Sequence, residues 1–238
     1  MTPKRSFFVA GSSHNLKKLQ TVSIKIGNMD IRPSSTIKNL GVVFDQTMSM
    51  NAHVKSLTKS VNFHLRNMYR IRRYITTESC HHLARSLILS RLDYGNSLLL
   101  GISAKDRKQL QRLQNRAAKV VFKCNRLEPS APLLRDLHWL PVAERIVFKV
   151  LLLVFKALHD VAPAYLSDHL VLYVPGRDNM RSSNNYLLHV PRTSRSIGDN
   201  AFCSAGPRHW NALPGHLRFA PSVNVFKKHL KTYLFPPE

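Results

Sequence analysis

SAKDRKQLQRLQNRAAKVVFKCNR, residues 103–126, is the stretch that decides how the chain is read. Leu110, Leu113, Ala117 and Val120 recur at three- and four-residue spacing, which puts them on one side of an α-helix. Lys105, Lys108, Arg112, Arg116, Lys119 and Lys123 share a second, narrow stripe of the same helix, centred upwards of about 100° away from the apolar one. Asp106 alone offsets that charge within the segment. A basic helix face is ordinarily a solvated face. Here the whole chain is basic, with 36 Lys and Arg against 13 Asp and Glu and a net charge of +23 with histidines neutral. Such an excess opposes compaction by self-repulsion and calls for an anionic partner. Nucleic acid is the usual one, because each phosphate neutralised releases a counterion. A membrane surface fits less well, since the cations spread along the chain and form no single cluster.

The helical period extends on both sides of this segment. Val54, Leu57, Val61, Leu65 and Met68 predict a helix up to about Tyr74, and Thr76-Thr77-Glu78 reads as a stop and a fresh cap. A second helix runs from about Glu78 through Leu83, Leu87 and Ile88 to Tyr94, where Gly95-Asn96 interrupts it. Ser103 caps the basic helix. A fourth starts at Pro141, with Glu144 near its positive end and apolar residues at 146, 147, 150, 151, 154, 155 and 158, a pattern that expects deep burial. The first 45 residues read as short strands: FFVAG (7–11), VSIKI (22–26) and LGVVF (40–44), with Gly27-Asn28 as a tight turn. Beyond about 170 the pattern dissolves, apart from a strand-like piece at 186–190 and a last helix from about Ser222 to Tyr233 that turns Val223, Phe226 and Leu230 inward. His-Trp followed by Leu-Pro occurs at 138–141 and 209–214, and both read as helix-start turns with a buried Trp. The expected fold is mainly α, with short N-terminal antiparallel β-strands, a helical bundle, and an irregular C-terminal extension ending in a helix.

Several chemistries lack the local motifs they would need. Cys80, Cys124 and Cys203 are odd in number and far apart, so no disulfide framework is expected and a reducing compartment is. The apolar core near the N-terminus is too short for a signal peptide, and VLLLVF (150–155), set between Lys149 and Lys156, cannot span a bilayer. A soluble intracellular protein of nucleus or cytoplasm is expected. Two-metal phosphoryl chemistry needs at least two converging carboxylates, yet no two acidic residues lie closer than eight positions. Cys80-His81-His82 resembles a zinc cluster only in composition. Adjacent helical side chains point about 100° apart, and no second pair sits at ligand spacing. No G-x-S-x-G and no phosphate-cradling glycine loop is present. No metal, cofactor or catalytic residue is therefore expected.

Two stretches carry competing readings. RNMYRIRRY (66–74) places Arg66, Arg70, Arg72 and Arg73 among Tyr69 and Tyr74. That interleaving suits base stacking, and an arginine-rich helix end equally complements the helix dipole. Arg70 and Arg73 join the six α-helical cations as nucleic-acid-binding candidates. SRLDYGNSLLLGI (90–102) sets Asp93 beside Tyr94 in apolar surroundings, as a polymerase catalytic turn does. With no carboxylate neighbour, Asp93 reads as a hydrogen-bond acceptor for backbone or a basic side chain, fixing the break before the basic helix.

Taken in order, SRLDYGNSLLLGI, LQRLQNRAAKVVF, LHWLPVAERIVFKVLLLVFKALHDVAPAYLSDHL and AFCSAGPRHWNALPGHLRFAPSVNVFKKHLKTYLF resemble the C-terminal part of reverse transcriptases of non-LTR (LINE-type) retrotransposons, the jockey-like group especially. The likeness runs from about residue 36 to 235. PKRSFFVAGS looks like the strand after the catalytic palm, and TIKNLGVVFDQTMSMNAHV like the hairpin and helix that lead into the thumb. Gly95 stands where relatives carry Cys. The resemblance implies a palm remnant with a β-hairpin at 1–47, a helical thumb at 48–170 and a C-terminal extension at 171–238. It implies a thumb that grips RNA or RNA–DNA duplex by its backbone, and it implies that the fingers, the palm and its paired aspartates would precede this region. The expectation is a truncated reverse transcriptase fragment that binds template–primer and does not polymerise unless a separate palm-bearing chain joins it. The alternatives are a helical protein-interaction module whose charge is incidental, and a non-functional genomic remnant.

Overall fold

The computed structural model describes residues 7–18, 23–174 and 186–235. Val22, at the start of the expected VSIKI strand, and the 175–185 part of the C-terminal extension lie outside them. The chain divides into two compact units, one made of Met1–Gly95 and Ile102–Glu128, the other of Asn96–Gly101 and Pro129–Glu238.

The first unit begins with β1 (Phe7–Phe8), helix α1 (Ser13–Lys18), β2 (Ile24–Ile26), β3 (Met29–Ile31), β4 (Pro33–Ser34), β5 (Thr36–Asn39) and β6 (Val42–Asp45). The β2–β3 and β5–β6 pairs are antiparallel, whereas the two-residue β1 pairs with β4 in parallel. Gly27-Asn28 joins β2 to β3 as a two-residue turn, with Ile26 opposite Met29 and Gly27 at φ 61°. Leu40-Gly41 does the same for β5 and β6, and both residues have positive φ, 45° and 85°. This twist matches that of paired strands, but it is costly for a leucine. Tyr94 holds it in place by donating from its hydroxyl to the Leu40 carbonyl at 2.6 Å.

After β6 the Asp45 carboxylate accepts from Thr47 Oγ1 (2.7 Å), Ser49 N (2.9 Å) and Ser49 Oγ (3.0 Å), which fixes the turn into the first long helix. Burial pushes its pKa up, but these hydrogen bonds together outweigh burial and hold it below the usual value. Helix α2 (Asn51–Ile71) follows, then a 3-10 turn, Arg72–Tyr74, and α3 (Thr77–Ala84), whose Thr76 cap accepts from Ser79 N at 3.1 Å. The chain continues through a π turn, Arg85–Leu89, into α4 (Ser90–Asp93), and the left-handed Gly95 (φ 63°) ends it. A cysteine at that φ would be strained. Helix α5 (Ala104–Phe122) closes the unit. Val54, Val61 and Leu65 of α2 are fully buried, as are Leu110, Ala117 and Val121 of α5 and Cys80, Ala84 and Ile88 of the helix between them. In α2 and α5 the three- and four-residue spacing selects this buried side, whereas in the helix between them Cys80 and Ala84 are buried with Ile88, and the expected Leu83 and Leu87 are half-buried.

The second unit contains a 3-10 turn, Asn96–Leu99, and helices α6 (Ser130–Asp136), α7 (Val142–Leu158), α8 (Ala164–Ser167), α9 (Ser196–Asp199), α10 (Phe202–Asn211), α11 (Gly215–Arg218) and α12 (Val223–Leu234). Its core gathers Leu151, Val154 and Phe155 of α7 with Trp210, Leu217, Phe226 and Leu230. Phe155 stacks on Phe226 with ring centroids 4.2 Å apart. Both tryptophans are buried, Trp139 just before α7 and Trp210 within α10. The strand-like piece near 186–190 makes a single antiparallel bridge, Leu188 with Leu172.

On its other side Leu188 is met by a side chain in place of a strand. Asn211 Oδ1 accepts from Leu188 N at 2.9 Å, and Asn211 Nδ2 donates to Leu188 O at 2.7 Å. One amide thereby does the work of a ladder pair for a residue that is itself buried. Asn211→Ala is expected to destabilise by about 2–4 kcal/mol, and Asn211→Asp by a similar amount because a carboxylate cannot donate to the carbonyl. Denaturant midpoints measure this. Equal midpoints for all three proteins would contradict it.

Candidate nucleic-acid interface

The basic helix is built from its cap outward. Ser103 Oγ accepts from Asp106 N at 3.1 Å and donates to Asp106 Oδ2 at 2.7 Å, and Asp106 is buried. The one acid of the segment thus serves as a capping partner near the helix N-terminus and is turned away from the cations. Lys105, Lys108, Arg112, Arg116 and Lys123 are exposed, and Lys119 is half-buried. Arg116 Nη1 donates to Asn62 Oδ1 at 2.7 Å, and Lys119 Nζ to the Arg126 carbonyl at 2.6 Å. Among the described residues, Lys105, Lys108 and Arg112 make no hydrogen bond or ion pair. Lys108, Arg112 and Arg116 stand four residues apart, so like charges repel along the helix, which opposes its stability.

Helix α2 runs beside α5 and brings a second basic row. Thr58 accepts from Gln109 at 3.0 Å and Asn62 from Arg116, so the two helices meet in the same residue order along their lengths. At 100° per residue, Lys55, Lys59, Arg66 and Arg70 share the side of α2 that carries Asn62, and all four are exposed. No acidic residue occurs between Asp45 and Glu78. Lys55 and Lys59 are additional to the cations that the sequence pattern picks out. Their spacing relative to Asn62 was a usable signal, but only the Asn62–Arg116 contact tells which neighbour that side adjoins. The result is a two-helix face of cations bridged by neutral polar residues.

At one end of this face the three arginines Arg70, Arg72 and Arg73 diverge. Arg70 and Arg73 are exposed, as expected for contact residues, and the Arg73 guanidinium lies 4.6 Å over the Tyr74 ring. Arg72 is buried. Its Nε donates to Val120 O at 2.8 Å and Nη2 to Val121 O at 2.7 Å, both in the last turn of α5. Nη1 donates to Ile75 O at 2.8 Å, and Nη2 also reaches Thr77 Oγ1 at 3.0 Å. One guanidinium thereby satisfies orphan carbonyls at the negative end of α5 and ties it to the ends of α2 and α3. Arg72 belongs to the scaffold of the face and takes no place on it.

Comparison with protein-family models, curated proteins and solved structures gives no match. The site therefore stands on its own geometry. Among the described residues no group of three or more His, Cys, Asp or Glu could hold a metal ion, and no helix is long and apolar enough to cross a membrane. Cys80 faces the core, with its Sγ 4.0 Å from Val120 O, while His82 points outward. Burial pushes the Cys80 thiol pKa up despite the lowering effect of Arg72 and Lys123, which does not suit a thiolate ligand. Asp93 sits half-buried in the last turn of α4 and belongs to no such group. What the arrangement offers chemically is a fixed surface of positive charge.

Proposed function

We propose that this chain is the thumb-like part of a non-LTR reverse transcriptase and binds RNA or RNA–DNA duplex by its backbone, without carrying out polymerisation itself. The observation that carries the binding is the two-helix face of α2 and α5, where cations from both helices lie side by side and the single acid of α5 is turned into a cap. Phosphate contacts position a duplex and read no sequence. The family assignment rests on the resemblance of the four ordered motifs. The order of short strands followed by a helical unit agrees with what that resemblance implies. Extension of a primer would require a palm-bearing partner chain.

Two RNA–DNA hybrids of unrelated sequence test the reading. Both are expected to bind with equal affinity, and neither is to be extended when magnesium and nucleotides are supplied. A marked preference for one sequence would contradict backbone recognition. Primer extension by the purified chain alone would overturn the non-catalytic assignment.

A further inference from the structure

The C-terminal end of α2 carries more than charge. Tyr69 is 52% exposed and Tyr74 is 72% exposed, and both stand among Arg66, Arg70 and Arg73. Large apolar rings left in water need a reason when they cluster inside a charged patch. Their surroundings are fixed. Arg72, between the two tyrosines in sequence, is locked into the carbonyls of Val120 and Val121, so this end of α2 is held against the end of α5 from which Lys119 and Lys123 project. The Arg73 guanidinium covers one face of the Tyr74 ring at 4.6 Å, and the high exposure of that tyrosine leaves the opposite face to solvent.

A duplex has no use for such rings, because its bases are stacked on one another and only its backbone meets the protein. A single strand does. Every base presents a π-face, and aromatic rings beside a basic track are the standing solution for holding one. A ring with a cation on one face and an open second face is a base-stacking platform with a charge at hand for the neighbouring phosphate.

We propose that Tyr69 and Tyr74 receive the bases of a single-stranded extension leaving the duplex that lies on the α2–α5 face. The face would then hold a duplex–single-strand junction in a set direction, with its single-stranded side at the ends of the two helices. The proposal rests on the nucleic-acid reading above.

The test compares a blunt RNA–DNA hybrid with the same hybrid carrying an overhang, at one salt concentration, by fluorescence anisotropy. The overhang is expected to tighten binding to the wild-type chain by about tenfold or more. Y69A/Y74A removes that gain and leaves the blunt hybrid's affinity within about twofold, whereas Y69F/Y74F keeps the gain because the ring and not the hydroxyl does the stacking. Both tyrosines are exposed, so neither variant should melt differently from wild type. An overhang that adds nothing, an alanine variant that keeps the gain, or a phenylalanine variant that loses it would each overturn the proposal while the blunt hybrid still binds. If no hybrid of any form binds, it is the underlying nucleic-acid reading that fails.

Discussion

Arg72→Met lowers the stability of the first unit by about 3–5 kcal/mol, the largest effect expected of any single substitution in that unit. Methionine fills a similar volume but donates nothing. The Val121 carbonyl then loses the donor that Arg72 provides, and Val120 keeps the longer 3.3 Å bond from Lys123 N and the weak 4.0 Å contact from the Cys80 thiol. The Ile75 carbonyl and Thr77 hydroxyl lose their partner as well. Arg72→Lys recovers about half, because an ammonium can reach one or two of these acceptors and cannot span them all as the planar fork does. Urea denaturation followed by circular dichroism gives the comparison. A loss under about 1 kcal/mol for Arg72→Met would mean that water serves the carbonyls equally well, and that the ends of α2 and α5 are not tied by this residue. The consequence for function is that binding should fall with stability in these variants, since Arg72 aligns the two basic rows.

Reversing the charge of Lys105, Lys108 and Arg112 to Glu acts in the opposite sense on the two properties. These three are exposed and, among the described residues, unpaired, so nothing in the fold is lost. Glu at 112 stands four residues before Arg116, which replaces a repulsive pair by a favourable one worth about 0.2–0.5 kcal/mol. The triple variant is therefore expected to melt no lower than wild type. Its affinity for an RNA–DNA hybrid at moderate salt should nonetheless drop by about a hundredfold or more, since three phosphate contacts become three repulsions. A loss of binding accompanied by a lower melting temperature would point to damage of the helix instead. The pairing of unchanged stability with lost affinity is what identifies a contact surface.

How much of this was legible in the sequence depends on the kind of signal. The helices with long apolar periods, α2, α5, α7 and α12, were readable, and so were the Thr76 cap of α3, the Ser103 cap of α5 and the start of α12 at Ser222, because periodicity and capping are local properties. Helix α10 was not, because Gly206 and Pro207 in its middle read as breakers. The structure supplies the reason for the glycine. A Cβ there would lie 3.0 Å from Val154 Cγ2, a tighter contact than side chains ordinarily make, so the close approach of α10 to α7 favours glycine. The π turn at Arg85–Leu89 had no signal, since one extra residue within a helix leaves the composition unchanged.

The site divides in the same way. The stripe on α5 followed from angles alone. Its companion row on α2 depends on which helix lies beside which, and that is a long-range fact carried by Thr58–Gln109 and Asn62–Arg116. Arg72 stands four residues after Met68 and seven after Leu65, on the apolar side of α2, so periodicity already separates it from Arg70 and Arg73. Its acceptors at the end of α5 are the long-range part that no spacing shows. Asp93-Tyr94, which looked like a catalytic pair, proves to place Tyr94 over a strained hairpin turn.

The salt dependence of affinity for an RNA–DNA hybrid, measured side by side for the wild-type chain and the Lys105, Lys108 and Arg112 charge-reversal variant, tests the central claim most directly. With about six cations on phosphates, wild-type affinity should fall about a thousandfold between roughly 50 and 200 mM salt. The variant's plot of log affinity against log salt should be shallower by about three units. Two parallel lines, or a wild-type affinity indifferent to salt, would contradict a backbone grip by the α2–α5 face.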